Sequence, residues 1–275
     1  MTVTVGRVTA LAWPGQEALA AALAEAADHT APFPGLGPLP QRPITLVLAR
    51  TRAQFDSVTN GRLPRWSEGA AFPDAAALVL LSSGATGRLS VVLRHELAHL
   101  ALSWHARGHV PLWFEEGYAS VAAAEWTRFD ALGLNWTVAR GVRMTLEDLD
   151  NALRGGEPDA QSAYALATTA VLLLQRWGGP RGLAPLLAQV PGSASFDQAL
   201  RATYHVTEED FETRWQADLR RRYGWLTWAA AAGLLWGVAG TLSGWLVWRR
   251  RRRDRFARAA LEGEDGIAAD DAPTP

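Results

Sequence analysis

The chain predicts an α+β domain with a small N-terminal mixed sheet, a buried helix in the middle and a helical C-terminal part, followed by one transmembrane helix. Short β-type runs, Ile44 to Ala49 and Ala77 to Ser82, precede a long series of helix patterns. The stretch from Leu89 to Trp104 is apolar on most sides at helical spacing, yet it carries His95-Glu96-Leu97-Ala98-His99. The stretch from Gly224 to Trp248 has no charged side chain and ends against Arg249 to Arg253.

Taken in order, Gln16 to Asp28 is an Ala-rich helix pattern, and Pro32 to Pro43 is a Pro/Gly loop. The two β-type runs follow, then the helix around His95, for which Gly108 is a natural stop. Pro111 reads as a first-turn residue, and Val121 to Glu125 continue the helix it opens. Leu146 to Leu153 is a short helix. Ala160 to Trp177 is a long one, stopped by Gly178-Gly179-Pro180. Gly182 to Val190 and Ser195 to Ala202 come next, and Thr207-Glu208-Glu209-Asp210 is a capping-box-like start for a helix to Tyr223. No internal repeat is present. Residues 1–223 therefore read as one domain.

With 275 residues, 48% of them hydrophobic, the chain can bury the core of one enzyme domain and still carry an extra segment. A net charge of −1 implies no electrostatic partner. The folded part has no basic patch interleaved with aromatics, which argues against nucleic acid. Cysteine is absent, so any metal site must be built from His and carboxylate.

The His95-Glu96-Leu97-Ala98-His99 stretch is an H-E-x-x-H pattern. Residues four apart lie one turn above each other on a helix, so both imidazoles can reach one metal ion. Glu96 beside them can take a proton from a metal-bound water. Five-residue patterns arise by chance, but Val91, Val92, Leu93, Leu97, Leu100, Ala101 and Leu102 make this a core helix. Two histidines and a glutamate buried there are costly unless something partners them.

A catalytic zinc needs a third protein ligand. His105 is one candidate, at the last position of an H-E-x-x-H-x-x-G-x-x-H pattern. Leu102 stands where that pattern has the Gly that breaks the helix. If the helix continues, His105 points about 120° away from the face of His99. The other candidate is a carboxylate from the next helix, in Trp113-Phe114-Glu115-Glu116-Gly117-Tyr118-Ala119.

This last stretch resembles the W-L-x-E-G-x-A pattern of the aminopeptidase-N group, and with H-E-x-x-H the chain resembles the gluzincin zinc metallopeptidases. From about Val3 to Tyr223 it also resembles the peptidase-MA-like domain proteins, a zincin-like fold. The resemblance implies zinc held by His95, His99 and Glu116, with Glu115 a solvated or supporting neighbour. It implies a peptide substrate lying along a sheet edge, here Leu78 to Leu81. It also implies an oxyanion donor from the helical part, for which Tyr164 is the first candidate and His205 the second. His29 and His109 read as loop histidines. Nothing resembles the amine-binding G-A-M-E-N stretch of aminopeptidases, which favours an endopeptidase. A metzincin-like reading, with His105 as ligand and Met144 in a Met-turn, lacks its Gly.

Gly224 to Trp248 is long enough to cross about 30 Å of hydrocarbon as a helix. Trp225, Trp228, Trp245 and Trp248 lie near its ends, where interfacial aromatics belong. The lipid bilayer is thus an expected partner, through residues 224–248. Arg249 to Arg253, with Arg255 and Arg258, place the C-terminus in the cytoplasm and the domain before the span outside. Met1 to Trp13 shows no signal-peptide pattern, so this topology expects a signal upstream of Met1, and the competing reading is a tail-anchored cytoplasmic enzyme. Residues 249–275 read as an Arg-rich and then acidic, disordered tail. The expected protein is a membrane-anchored zinc peptidase with Glu96 as general base. The runner-up is a non-catalytic relative that binds a peptide or partner at the membrane.

Overall fold

A computed structural model describes residues 1–61, 63–83, 86–106, 110–125, 144–155, 157–223 and 236–249, without the side chains of 86–87 and 157–161. The chain divides into two units, Met1–Tyr223 and Gly224–Pro275.

The first unit opens with β1 (Thr2–Val5) and β2 (Val8–Leu11), an antiparallel pair turning at Gly6. Gly6 has φ +54°, and a Cβ there would lie 2.1 Å from the Asp28 carboxylate, so only glycine fits. Helix α1 (Glu17–Asp28), strand β3 (Ile44–Ala49), helix α2 (Arg52–Val58) and strands β4 (Gly69–Phe72) and β5 (Ala77–Leu81) complete the sheet half. The five-stranded sheet has the order β1-β2-β3-β5-β4. Its inner pairs, β2–β3 and β3–β5, are parallel and its outer pairs antiparallel. The sheet is mixed, as expected.

Side-chain alternation gives the sheet two apolar faces. Ile44, Leu46, Leu48, Leu78 and Leu80 join the main core with α1 and the H-E-x-x-H helix. Val47, Ala49, Val79 and Leu81 join a smaller cluster around Phe55 of α2. Helix α2 begins with a full capping box between Thr51 and Gln54.

One expectation is corrected here. Leu78 to Leu81 do not form the sheet edge, because β5 is paired with β3 on one side and β4 on the other. The edge next to the core helix is β4. Its sequence, Gly-Ala-Ala-Phe, has no β-branched residue, so it carries little strand signal.

The helical half consists of α3 (Thr86–Ala106), α4 (Leu112–Ala123), α5 (Leu146–Leu153), α6 (Glu157–Trp177), α7 (Ala184–Gln189), α8 (Phe196–Tyr204) and α9 (Glu208–Tyr223). Pro111 is the N-cap of α4 rather than its first residue and offers no side-chain cap. Asp150 of α5 does that work, accepting from the Trp113 N–H at 2.6 Å. Trp113 is buried among Phe114, Phe196 and Phe211, stacking on Phe211 with ring centroids 5.7 Å apart. This aromatic cluster roots α4 in the helical half.

In the second unit, residues 236–249 are helical. Among the described residues no helix is long and apolar enough to cross a membrane. The expected span from Gly224 begins in residues 224–235, outside the described residues, as does the tail after Arg249.

Candidate metal centre

Helix α3 is continuous past His99, so the geometry of a straight helix decides which histidines converge. His95 and His99 stand one turn apart, with ring centroids 4.9 Å apart. His105 falls on another face and bonds through Nε2 to the Leu187 carbonyl at 2.8 Å. That carbonyl only accepts, so Nε2 carries a proton.

The third group comes from α4. Glu116 Oε2 lies 3.5 Å from His95 Nε2 and 3.6 Å from His99 Nε2. One ligand atom from each of His95, His99 and Glu116 lies within 4.8 Å of the others, and among the described residues they form the one such group. Local packing explains the position. A Cβ on Gly117 would lie 2.5 Å from the Ala167 carbonyl oxygen, so glycine lets α4 lie directly against α6. Trp113, four residues before Gly117, anchors the same helix.

Sequence reading missed Glu125, which follows α4. Ala124 is in the left-handed conformation (φ 55°), its N–H reaches Val121 O, and Glu125 N–H reaches Ser120 O at 3.1 Å. These are the two bonds of a Schellman turn. The turn sends Glu125 back to His95, whose Nδ1 lies 3.0 Å from Glu125 Oε2. A carboxylate only accepts, so Nδ1 carries a proton, and Nε2 is the ring atom turned toward Glu116 that a metal would take. Arg94, next to His95, donates to Ala122 O, Thr30 Oγ1, Ala31 O and Pro32 O. It ties α3 to the end of α4 and to the Pro/Gly loop.

Burial disfavours the charged forms here, but the groups offset one another. Hydrogen bonds to Glu116 and Glu125 hold the His95 imidazole pKa well above its usual value in spite of burial. The charge and hydrogen bond of Glu116 likewise raise that of His99. Burial works against ionised Glu116, yet His99 and His95 hold its carboxyl well below the usual range. Two imidazoles and one carboxylate, converging and buried, are a donor set that fits zinc.

Glu96 is 8% exposed. Burial pushes its carboxyl pKa up, with His95 and His99 pulling the other way. It lies against the edge strand, since a Cβ on Gly69 would fall 2.3 Å from Glu96 Oε1. Tyr164 of α6 is within hydrogen-bonding reach of Glu116, and burial together with the Glu116 charge raises its phenol pKa. Trp66, just before β4, packs edge-on against Tyr164 with centroids 5.6 Å apart. The sheet half thus meets the helical half beside the site. His205 is exposed at the left-handed C-cap of α8. Met144 packs on the core, and its carbonyl accepts from Gln216. His109 lies outside the described residues, and His29 is the C-cap of α1.

The two candidate third ligands separate cleanly by metal content. Purified full-length protein with His105→Ala is expected to keep about one zinc per chain, and Glu116→Ala to lose most of it. Elemental analysis after dialysis against limiting zinc reads both, and the opposite pattern would restore His105 as ligand.

A search of curated proteins finds no match for this chain. A family model described as the Peptidase MA superfamily matches residues 30–221, which span the loop before β3, the H-E-x-x-H helix, Glu116 and nearly all of the helical half. On that match, and with the His/His/Glu group in place, the chain belongs to the Peptidase MA superfamily.

Proposed function

We propose that the protein is a membrane-anchored, zinc-dependent endopeptidase with Glu96 as general base. The observation that carries this reading is the convergence of His95, His99 and Glu116 next to a buried Glu96 that has no hydrogen bond or ion pair among the described residues. Membership in a peptidase superfamily supports it.

His95, His99 and Glu116 would hold the zinc, with Glu125 fixing the His95 tautomer. Bound zinc supplies Lewis acidity toward water and the scissile carbonyl. Glu96 accepts the proton of the attacking water and passes it to the leaving amine, and its raised pKa suits a group that must hold that proton between the two steps. Tyr164 stays protonated and donates to the carbonyl oxygen as negative charge builds there. The peptide adds as a strand to the outer edge of β4, where no described strand pairs and whose outer N–H and C=O groups are not used by β5. Gly69, with no side chain of its own, lets the Glu96 carboxylate lie directly against this strand. An edge reads backbone rather than chain ends, which favours internal cleavage.

The uncharged run 224–248 with its tryptophans supports anchoring in a bilayer. Arg249 to Arg253 support a cytoplasmic C-terminus with the catalytic unit outside. Two measurements test the reading. Zinc-loaded, detergent-solubilised wild type is expected to cut peptides in a broad library, and a digest without products would leave only a binding module. In spheroplasts, a reporter fused after Pro275 is expected inside and residues 1–223 open to added protease. Full protection of that unit would instead make the enzyme tail-anchored and cytoplasmic.

A further inference from the structure

Glu125 reaches His95 through the turn that ends α4, and that turn runs against residue preference. Ala124 holds φ 55°, a conformation that a Cβ disfavours. Two bonds close the turn from within, Glu125 N–H to Ser120 O at 3.1 Å and Ala124 N–H to Val121 O at 3.2 Å. The next carbonyl, Ala122 O, accepts from Arg94 Nε at 2.6 Å. The guanidinium therefore satisfies a carbonyl of the last helical turn and places a cation at the C-terminal end of α4.

The rest of the Arg94 head is fixed to the segment after α1. Nη1 donates to Thr30 Oγ1 and to Ala31 O, both at 3.0 Å, and Nη2 donates to Pro32 O at 3.1 Å. The group also lies over the buried Phe33 ring, 4.8 Å from its centroid. A donor held at this many points has little freedom to move. Neighbours on a helix point about 100° apart, so Arg94 and His95 grip the end of α4 at two different places. Arg94 takes the Ala122 carbonyl and His95 takes the Glu125 carboxylate.

We propose that Arg94 is a positioning residue for the metal ligand His95, and that it acts through the turn it clamps. With Arg94 in place the left-handed Ala124 is held and Glu125 stays on His95 Nδ1. Without it the turn can relax, Glu125 leaves, and the imidazole loses the contact that orients it toward Glu116 and His99. The inference rests on the zinc centre of the proposed enzyme and adds the residue that keeps one of its ligands in place.

The experiment reads metal rather than turnover, on full-length protein in detergent. Zinc Kd is measured by chelator competition for wild type, Arg94→Ala, Glu125→Ala and the double variant. Loss of a group that orients a ligand weakens metal binding about 10- to 100-fold, and each single variant is expected in that range. The double variant is expected to be no weaker than the weaker single, because the two groups act in series. Cobalt-loaded Arg94→Ala and Glu125→Ala are expected to share one altered visible spectrum, since the same ring has lost the same constraint. An open pocket lined by His29, Thr30, Arg94 and Ala122 gives access to the clamp. Methylguanidinium is therefore expected to restore zinc affinity to Arg94→Ala and not to Glu125→Ala. If Arg94→Ala does not fold, Arg94→Lys replaces it in the cycle. Lysine keeps the charge and loses the fork, and a smaller loss with the same non-additivity is expected. Losses that multiply in the double variant would overturn the proposal and leave the peptidase reading standing. So would a wild-type Kd and cobalt spectrum in Arg94→Ala together with a lower melting temperature, which would make Arg94 a staple of the fold alone. Wild type that binds no zinc would overturn both. Zinc bound without any cleavage in the library digest would remove the peptidase reading alone.

Discussion

Glu96→Gln is expected to lower kcat/KM by about 10²–10⁴-fold on any peptide that the wild type cuts, with zinc content and melting temperature unchanged. The amide has nearly the shape of the carboxylate and cannot accept the proton. Glu96 is not among the three groups that converge as ligands, and among the described residues it makes no hydrogen bond that the change would break. Loss of rate without loss of metal therefore separates a base from a ligand. If the variant cut as fast as wild type, the proton would be moving through another group and the proposed mechanism would fall.

Tyr164→Phe is expected to cost about 10²–10³-fold, mostly in kcat. Only a hydroxyl is removed. The ring keeps its edge contact with Trp66, and what the fold loses is the hydroxyl's reach to Glu116, so zinc content is measured alongside the rate. The hydroxyl acts on charge that develops during the reaction, and substrate affinity should shift little. His205→Ala is the control, since an exposed residue at the end of α8 should leave the rate alone. A kcat that is unaffected by Tyr164→Phe but falls with His205→Ala would transfer the donor role.

The helical half was readable from the sequence because its signals are local. The short helix Leu146–Leu153 matches its expected bounds, and α9 begins one residue after its capping threonine. Leu102 in place of a helix-breaking Gly argues against His105, and α3 does run on through Leu102. The edge strand was hidden because a sheet edge is defined by which strands pair, and Gly-Ala-Ala-Phe has no period to reveal that. The hairpin of β1 and β2 and the capping box of α2 did leave marks, in Gly6 and in Thr51 and Gln54, and these went unread. Glu125 was not legible. Its link to His95 depends on a left-handed alanine ending α4, a conformation that the residue type argues against.

Gly117 has a consequence for how the reaction centre responds to charge. At Gly117, α4 rests on the Ala167 backbone of α6 with no side chain of its own in between. Tyr164 lies about one turn before Ala167 on α6, and Glu116 is the residue before Gly117 on α4. Tyr164 and Glu116 therefore belong to a single stiff body. In the proposed mechanism neither would have to swing into position as the substrate carbonyl gathers charge, so the reorganisation energy that loosely held dipoles would add to the barrier would already be met by folding.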